Sequence, residues 1–263
     1  MAARLARICV LAVCAAVAAG SAGAATPPVP TGPQVRTAAG LARPYGHGAG
    51  KVWLIVPRHS RPRSVVVFIH GWTATSPFDW HLPWLDHIVA RGSAVIFPAY
   101  QAGGAGDTFT STPAALRTGL IAGFGALHRP GLPVVVAGYS VGGALAFEYA
   151  AHAPAWKLPR PAALVSIFPV DPLQVDPGLL DLAPSRQRTL VLVGDRDEVV
   201  GDTGAKAFWR WLAPVPRRLK TYRLLRTTAT GPVFMHEALK DLRNPAVRRA
   251  FWAPLDSLVT ASR

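Results

Sequence analysis

The sequence predicts an α/β fold, an open and mostly parallel sheet with helices on both faces. Three observations carry that prediction. From residue 51 onward, apolar runs of strand length alternate with longer segments of helical spacing. The short runs are rich in Val, Ile and Leu and unrelieved by polar residues, as strands covered on both faces require. Half of the 263 residues are hydrophobic, enough to fill a core on each side of a sheet.

The chain opens on residues 1–24, where Arg4 and Arg7 precede an apolar run and a small-residue site at Ala22-Gly23-Ala24. This pattern predicts a secretory signal peptide cut near Ala24 or Ala25. The apolar run, residues 8–19, falls short of the ~20 residues that a spanning helix needs. Both cysteines, Cys9 and Cys14, lie inside it, so the mature chain is expected to hold no thiol, disulfide or cysteine-bound metal. A lipid anchor at Cys14 is the minor alternative, and the bulky Val13 before it fits that poorly. The expected location is secreted or cell-envelope associated. Residues 25–50 are rich in Pro, Gly and Ala without an apolar period, and read as a tether or poorly ordered lead-in to a domain spanning 51–263.

Within that domain, strands are expected at 51–57 and 64–70, close enough to be antiparallel neighbours, and then at 94–98, 133–138, 162–168, 189–194 and 219–225. Helices are expected over 81–92, over 112–128 with Leu116, Leu120, Phe124 and Leu127 on one face, over 141–152, over 204–212, and once or twice between 236 and 261. The short interval from residue 170 to residue 189 leaves little room for an inserted cap domain.

In open parallel sheets, ligands gather beyond the carboxyl ends of the strands. That rule selects His70-Gly71-Trp72, Ser140, Asp171, Asp195 or Asp197, and the segment past Leu225. Gly138-Tyr139-Ser140-Val141-Gly142 is a G-x-S-x-G sequence between a strand and a helix. A strand that reverses sharply into a helix strains its turn residue, and flanking glycines remove the collisions. The hydroxyl is thereby lifted beside the free N–H groups of a helix start. The plainer reading is a helix cap at Ser140, with Gly142 and Gly143 allowing close packing. A nucleophilic serine needs a base, and the base a carboxylate. Of eight histidines only His236 follows the last expected strand, and Asp197 lies in the turn after 189–194, so the chain order is Ser140, Asp197, His236.

With that order, the strand-end segment FIHGW and the acid segment LVGDRDEVV, the chain resembles the α/β-hydrolase family across roughly residues 50–263. The resemblance implies an α/β-hydrolase fold with a minimal cap or none. It implies Ser140 as nucleophile, His236 as general base and then acid, and Asp197 as its orienting carboxylate. The N–H groups of Trp72 and Val141 would form the oxyanion hole, with Trp72 and Tyr139 against the substrate. It points to a secreted, lipase-like serine esterase working through an acyl-enzyme, with a peptidase, an acyltransferase or an inactive cell-wall binding protein as alternatives. The chain departs from the family in having a single glycine in HGW and only Gly231 near His236, where relatives often place a Gly-x-Gly-His loop.

Other residues carry competing readings. Asp195 sits too early for the Gly-x-x-Asp match, Asp171 is expected to cap the next turn, and His70 to support the loop after its strand. Residues 102–107, AGGAGD, lack the spacing of a dinucleotide loop. His81, Asp86 and His87 read as the polar face of a helix, and no histidine-carboxylate spacing suggests a metal or other cofactor. Trp72, Phe78, Trp80 and Trp84 serve either as an apolar acyl pocket or, for Trp80 and Trp84, as helix anchors. The formal charge is +14, yet no cluster of bases with interleaved aromatics forms a nucleic-acid site. The expected partners are a small-molecule, lipid or polymeric ester, and weakly an anionic cell surface.

Overall fold

The computed structural model describes residues 27–263; the expected signal peptide and its cysteines lie outside the described residues. Nine strands form one sheet in the order β1-β2-β3-β5-β4-β6-β7-β8-β9. They are β1 (Val35–Arg36), β2 (Gly40–Tyr45), β3 (Val52–Pro57), β4 (Ser64–Ile69), β5 (Ser93–Pro98), β6 (Val134–Tyr139), β7 (Ala163–Ile167), β8 (Arg188–Gly194) and β9 (Lys220–Leu225). From β5 to β9 every pairing is parallel, whereas β1, β2, β3 and β5 pair antiparallel.

The period-2 geometry of a strand sends alternate side chains to opposite cores. Val65, Val67 and Ile69 of β4 pack with Leu116 and Leu120 of α2 (Thr112–Leu127), Leu145 and Phe147 of α3 (Val141–His152), and Phe208 of α5 (Thr203–Trp211). Val66 and Phe68 face the other way, onto Trp84 and Leu85 of α1 (Leu82–Ala90) and Phe251 and Leu255 of α6 (Pro245–Ser262). The apolar runs without polar relief are thus the signature of a sheet buried on both faces.

Two expectations are corrected. β3 and β4 are not neighbours, because β5 lies between them, antiparallel to β3 and parallel to β4. Every residue of β4 and β5 is buried, so both need a paired strand on each edge, while β3 is partly exposed and belongs farther out. Residues 35–45, expected within an unstructured lead-in, form β1 and β2. β2 pairs with β3 over six residues, from Gly40 opposite Pro57 to Tyr45 opposite Val52. Gly40 and Pro44 hid this strand from sequence patterning, since proline is tolerated near sheet edges but breaks the apolar alternation.

Between β7 and β8 stand only the short helix α4 (Pro172–Val175) and a 3-10 turn at Leu179–Asp181, so no cap domain interrupts the sheet there. Ser140, Asp197, His236 and Trp72 follow β6, β8, β9 and β4, all at the carboxyl edge of the parallel strands. Among the described residues no helix is long and apolar enough to cross a membrane.

Candidate active site

The turn from β6 into α3 places Ser140 in a left-handed conformation, φ 58° and ψ −122°, that costs a non-glycine residue about 1–3 kcal/mol. The surroundings hold it there. Its N–H donates to the Ile167 carbonyl at 2.9 Å, and its own carbonyl accepts from the Gly143 N–H at 2.8 Å. The two motif glycines are required by close approach. A Cβ on Gly138 would overlap the Gly142 carbonyl oxygen, and one on Gly142 would overlap the carbonyl oxygens of Ile69 and His70. These are backbone atoms of packed elements and cannot swing away. Gly142→Ala is therefore expected to destabilise the fold by about 3 kcal/mol, measured by urea unfolding, and to misplace the Ser140 hydroxyl.

His236 joins the other two expected residues. Its Nε2 lies 3.0 Å from Ser140 Oγ and its Nδ1 lies 2.9 Å from Asp197 Oδ2. All three side chains are buried. The other carboxylate oxygen of Asp197 accepts the N–H groups of Val199 and Val200 at 3.0 and 3.1 Å, so the acid is fixed before it meets the imidazole. Burial alone would raise the Asp197 pKa. The His236 contact and the two backbone N–H groups outweigh it and hold the carboxyl below its usual range. The acid is thus ionised and can keep the Nδ1 proton of His236 in place.

Tyr139, expected against the substrate, also has a structural contact. It lines the cavity, and its hydroxyl donates to the His236 carbonyl at 3.0 Å, tying the strand before the elbow to the loop that carries His236. This bond, with the 3-10 turn at His236–Lys240, replaces the glycine-rich histidine loop that the sequence lacks.

The Gly71-Trp72 loop passes directly over the elbow: a Cβ on Gly71 would sit 2.8 Å from the Tyr139 ring and 3.4 Å from Ser140 Cβ. Among the described residues neither the Trp72 N–H, in the turn after β4, nor the Val141 N–H, in the first turn of α3, meets a backbone acceptor, which leaves both available to an oxyanion. Gln101, which the sequence reading missed, holds this loop by accepting the Thr73 N–H at 2.9 Å. Its position just past β5 was the available signal.

The remaining candidates separate cleanly. Asp195 is committed to Thr227, accepting its N–H at 2.9 Å and its hydroxyl at 2.7 Å, and takes no part in the triad. Asp171 caps α4 through the Leu173 N–H. His70 is buried, with its ring nitrogens 2.5 and 2.6 Å from the carbonyls of Gly71 and Ala99. Asp107 accepts the N–H groups of Ala102, Gly103 and Gly104, closing the glycine-rich stretch into a surface turn. The expected polar face of His81, Asp86 and His87 is corrected. His81 is wholly buried, Asp86 binds the Thr37 hydroxyl at 2.5 Å, and His87 pairs with Asp256 at 2.8 Å. His81 thus lies in the core just before α1, while Asp86 faces the turn between β1 and β2 and half-buried His87 faces α6, so the three do not form one solvated face.

A cavity of about 640 Å³ opens above Ser140, with Trp72, Trp80, Phe109, Val170 and Val200 as apolar wall and Gln174, Glu237 and Lys240 as polar rim. The aromatic cluster thus divides. Trp72 and Trp80 face the cavity, Phe78 packs edge-on against Trp53, and Trp84 stacks on Trp252 in the core.

Residues 66–262 match the alpha/beta hydrolase family, a span that takes in the elbow, the acid and the histidine. The chain belongs to the alpha/beta hydrolase family. No curated protein matches its sequence. Among solved structures, a cold-adapted esterase from an Arctic intertidal metagenomic library is similar to this hydrolase at 17% identity and a TM-score of 0.65, covering 89% of this chain and 100% of its own. Esterase B from Lactobacillus rhamnosis is similar at 16% identity and a TM-score of 0.60, covering 81% and 82% of the two chains. An esterase from Pyrococcus furiosus is similar at 13% identity and 0.59, covering 88% and 92%. At such identities the likeness is one of fold.

Proposed function

We propose that this alpha/beta hydrolase cleaves carboxylic esters through an acyl-enzyme on Ser140. The observation that carries the reading is the continuous hydrogen-bonded chain Ser140 Oγ, His236, Asp197, beside two free backbone N–H groups. The Ser140 oxygen attacks the ester carbonyl as His236 Nε2 takes its proton. Asp197 steadies the imidazolium without accepting the proton. The carbonyl oxygen becomes an oxyanion facing the N–H groups of Val141 and Trp72, each worth about 3 kcal/mol of transition-state stabilisation in sites of this kind. Collapse expels the alkoxide, which leaves as the alcohol with the proton from His236. Water, activated by the same imidazole, then releases the acid and restores Ser140.

The short β7–β8 connection leaves the cavity open, and its mixed apolar wall suits the acyl part of a small-molecule, lipid or polymeric ester. Export from the cell belongs to this reading through the leader pattern at residues 1–24, and the excess positive charge supports weak attachment to an anionic envelope.

The test is a fluorophosphonate probe followed by mass-spectrometric mapping, together with nitrophenyl esters of rising chain length and a matched anilide. A single adduct on Ser140 and turnover of the esters but not the anilide are expected. Turnover of the anilide would make the protein a peptidase. An unlabelled Ser140 would leave a hydrolase fold used for binding.

A further inference from the structure

Two helical turns past Ser140, α3 carries a second cluster of titratable side chains that ester cleavage does not use. Glu148 and His152 lie one turn apart on α3, Asp176 arrives from the end of α4, and one donor atom of each lies within 4.8 Å of the others. Glu148 is only 2% exposed, and its Oε2 has no hydrogen-bond partner among the described residues. A carboxylate at that depth requires a partner or a metal. The chain has 28 Lys and Arg, yet among the described residues none pairs with Glu148 or Asp176; both face His152.

His152 Nε2 stands 3.2 Å from Glu148 Oε1 and 3.7 Å from Asp176 Oδ2, and hydrogen-bonds to neither. An imidazolium would turn its N–H onto one of the oxygens. Two oxygens flanking the nitrogen off its axis is instead the arrangement of donors around a shared ion. Tetrahedral donors at about 2.0–2.1 Å from Zn²⁺ stand roughly 3.3–3.4 Å apart. The donors are also held in place. Trp156 stacks on the His152 ring at 5.4 Å and 8°, and Asp176 Oδ1 accepts the Gly178 N–H at 2.8 Å, leaving Oδ2 to the cluster. The partly exposed side chains of His152 and Asp176 leave a path for the ion and a water.

We propose that Glu148, His152 and Asp176 bind a divalent transition-metal ion of the Zn²⁺ type, with water completing the shell. One imidazole and two carboxylates suit such an ion better than Ca²⁺, which takes six to eight oxygens. The ion links α3 to α4, and α4 contributes Gln174 to the wall of the substrate cavity. Its role is to pin that wall from behind, with no part in the chemistry at Ser140. Sequence spacing led to the expectation of no metal because Asp176 reaches α3 only through β7 and the turn after it. The competing occupant is a proton, since without an ion burial, and then the Asp176 carboxylate, push the Glu148 carboxyl up to about 8.

The full protein, stripped with EDTA, is titrated with ZnCl₂, CaCl₂ and MgCl₂, following heat of binding and Tm. One Zn²⁺ per chain and a Tm rise of roughly 5 °C at a hundredfold excess over Kd are expected, with no response to the other two salts. Asp176→Asn, at a half-buried position, is expected to keep the EDTA-state Tm and lose the stoichiometric binding; Glu148→Gln is expected to lose it as well. No saturable Zn²⁺ binding by the wild type, a response confined to CaCl₂, or wild-type binding by Asp176→Asn would overturn the proposal.

Discussion

Ser140→Ala is expected to lower turnover of a nitrophenyl ester by about 10⁵–10⁶-fold with KM little changed, and to abolish fluorophosphonate labelling. The size follows from the geometry. Among the described residues the Ser140 hydroxyl is the group that hydrogen-bonds His236 Nε2, at 3.0 Å, so its loss leaves that imidazole no hydroxyl to deprotonate. Asp197→Asn is expected to cost about 10⁴-fold. An amide at that position donates where the carboxylate accepts, and so favours the imidazole tautomer whose Nε2 carries the proton and cannot take one from Ser140. His236→Ala should resemble Ser140→Ala, and the double variant should be no worse than either, because the two side chains act as one unit. Additive losses, or turnover by Ser140→Ala within tenfold of the wild type, would remove Ser140 from the reaction. Urea unfolding of each variant separates these effects from loss of fold.

Between pH 6.5 and 4.5 the protein is expected to lose roughly 5 kcal/mol of stability through two buried imidazoles, a loss comparable to the whole stability of many domains. Burial lowers the His70 pKa to about 4, against its two carbonyl contacts. Burial, and then the charge of neighbouring His70, lowers that of His81 to about 3. His81 stacks on Trp80 at 3.9 Å and meets Phe97 edge-on at 5.2 Å, and neither of its ring nitrogens has a partner among the described residues. In the unfolded chain both titrate near 6.5. Above that pH neither state binds these protons and the stability is fully present. As pH falls below 6.5 the unfolded chain takes up protons that the folded chain refuses, so stability drops by up to about 1.4 kcal/mol per pH unit for each imidazole. The loss levels off only as the folded pKa values are reached. Urea unfolding at a series of pH values measures the slope. His81→Leu should halve it and raise stability at pH 5, by removing two unpartnered ring nitrogens from an apolar cage. A variant whose stability tracks the wild type across this range would show that His81 is not held neutral.

Much of this was legible in the primary structure. Seven of the strands and the helices α1, α2 and α5 lie within a residue or two of where apolar patterning puts them, because a strand buried on both faces admits no polar residue and a helix packed on one face repeats its apolar side chains every three or four residues. Helix α3, buried on all sides from Val141 to Ala150, was placed by the elbow before it. The triad was legible for a related reason. G-x-S-x-G marks a turn that few sequences permit, the carboxyl-end rule narrows the acid and base to a few strand ends, and the chain order that resembles the α/β-hydrolase family selects Asp197 and His236 among them.

Linear order alone determined the strand-helix alternation, the elbow at Gly138–Gly142 and the order of Ser140, Asp197 and His236 along the chain. Tertiary structure decided the rest: that β5 separates β3 from β4, that Gly40–Tyr45 is a strand, that Asp195 serves Thr227 while Asp197 serves His236, and that His81 lies in the core. Each of these depends on which surfaces meet. Periodicity records how much of a segment is buried, whereas pairing and hydrogen-bond partners are set by segments far along the chain: the Gly-x-x-Asp spacing favours Asp197 over Asp195, but that Asp195 binds Thr227 depends on what β9 and the loop after it bring there.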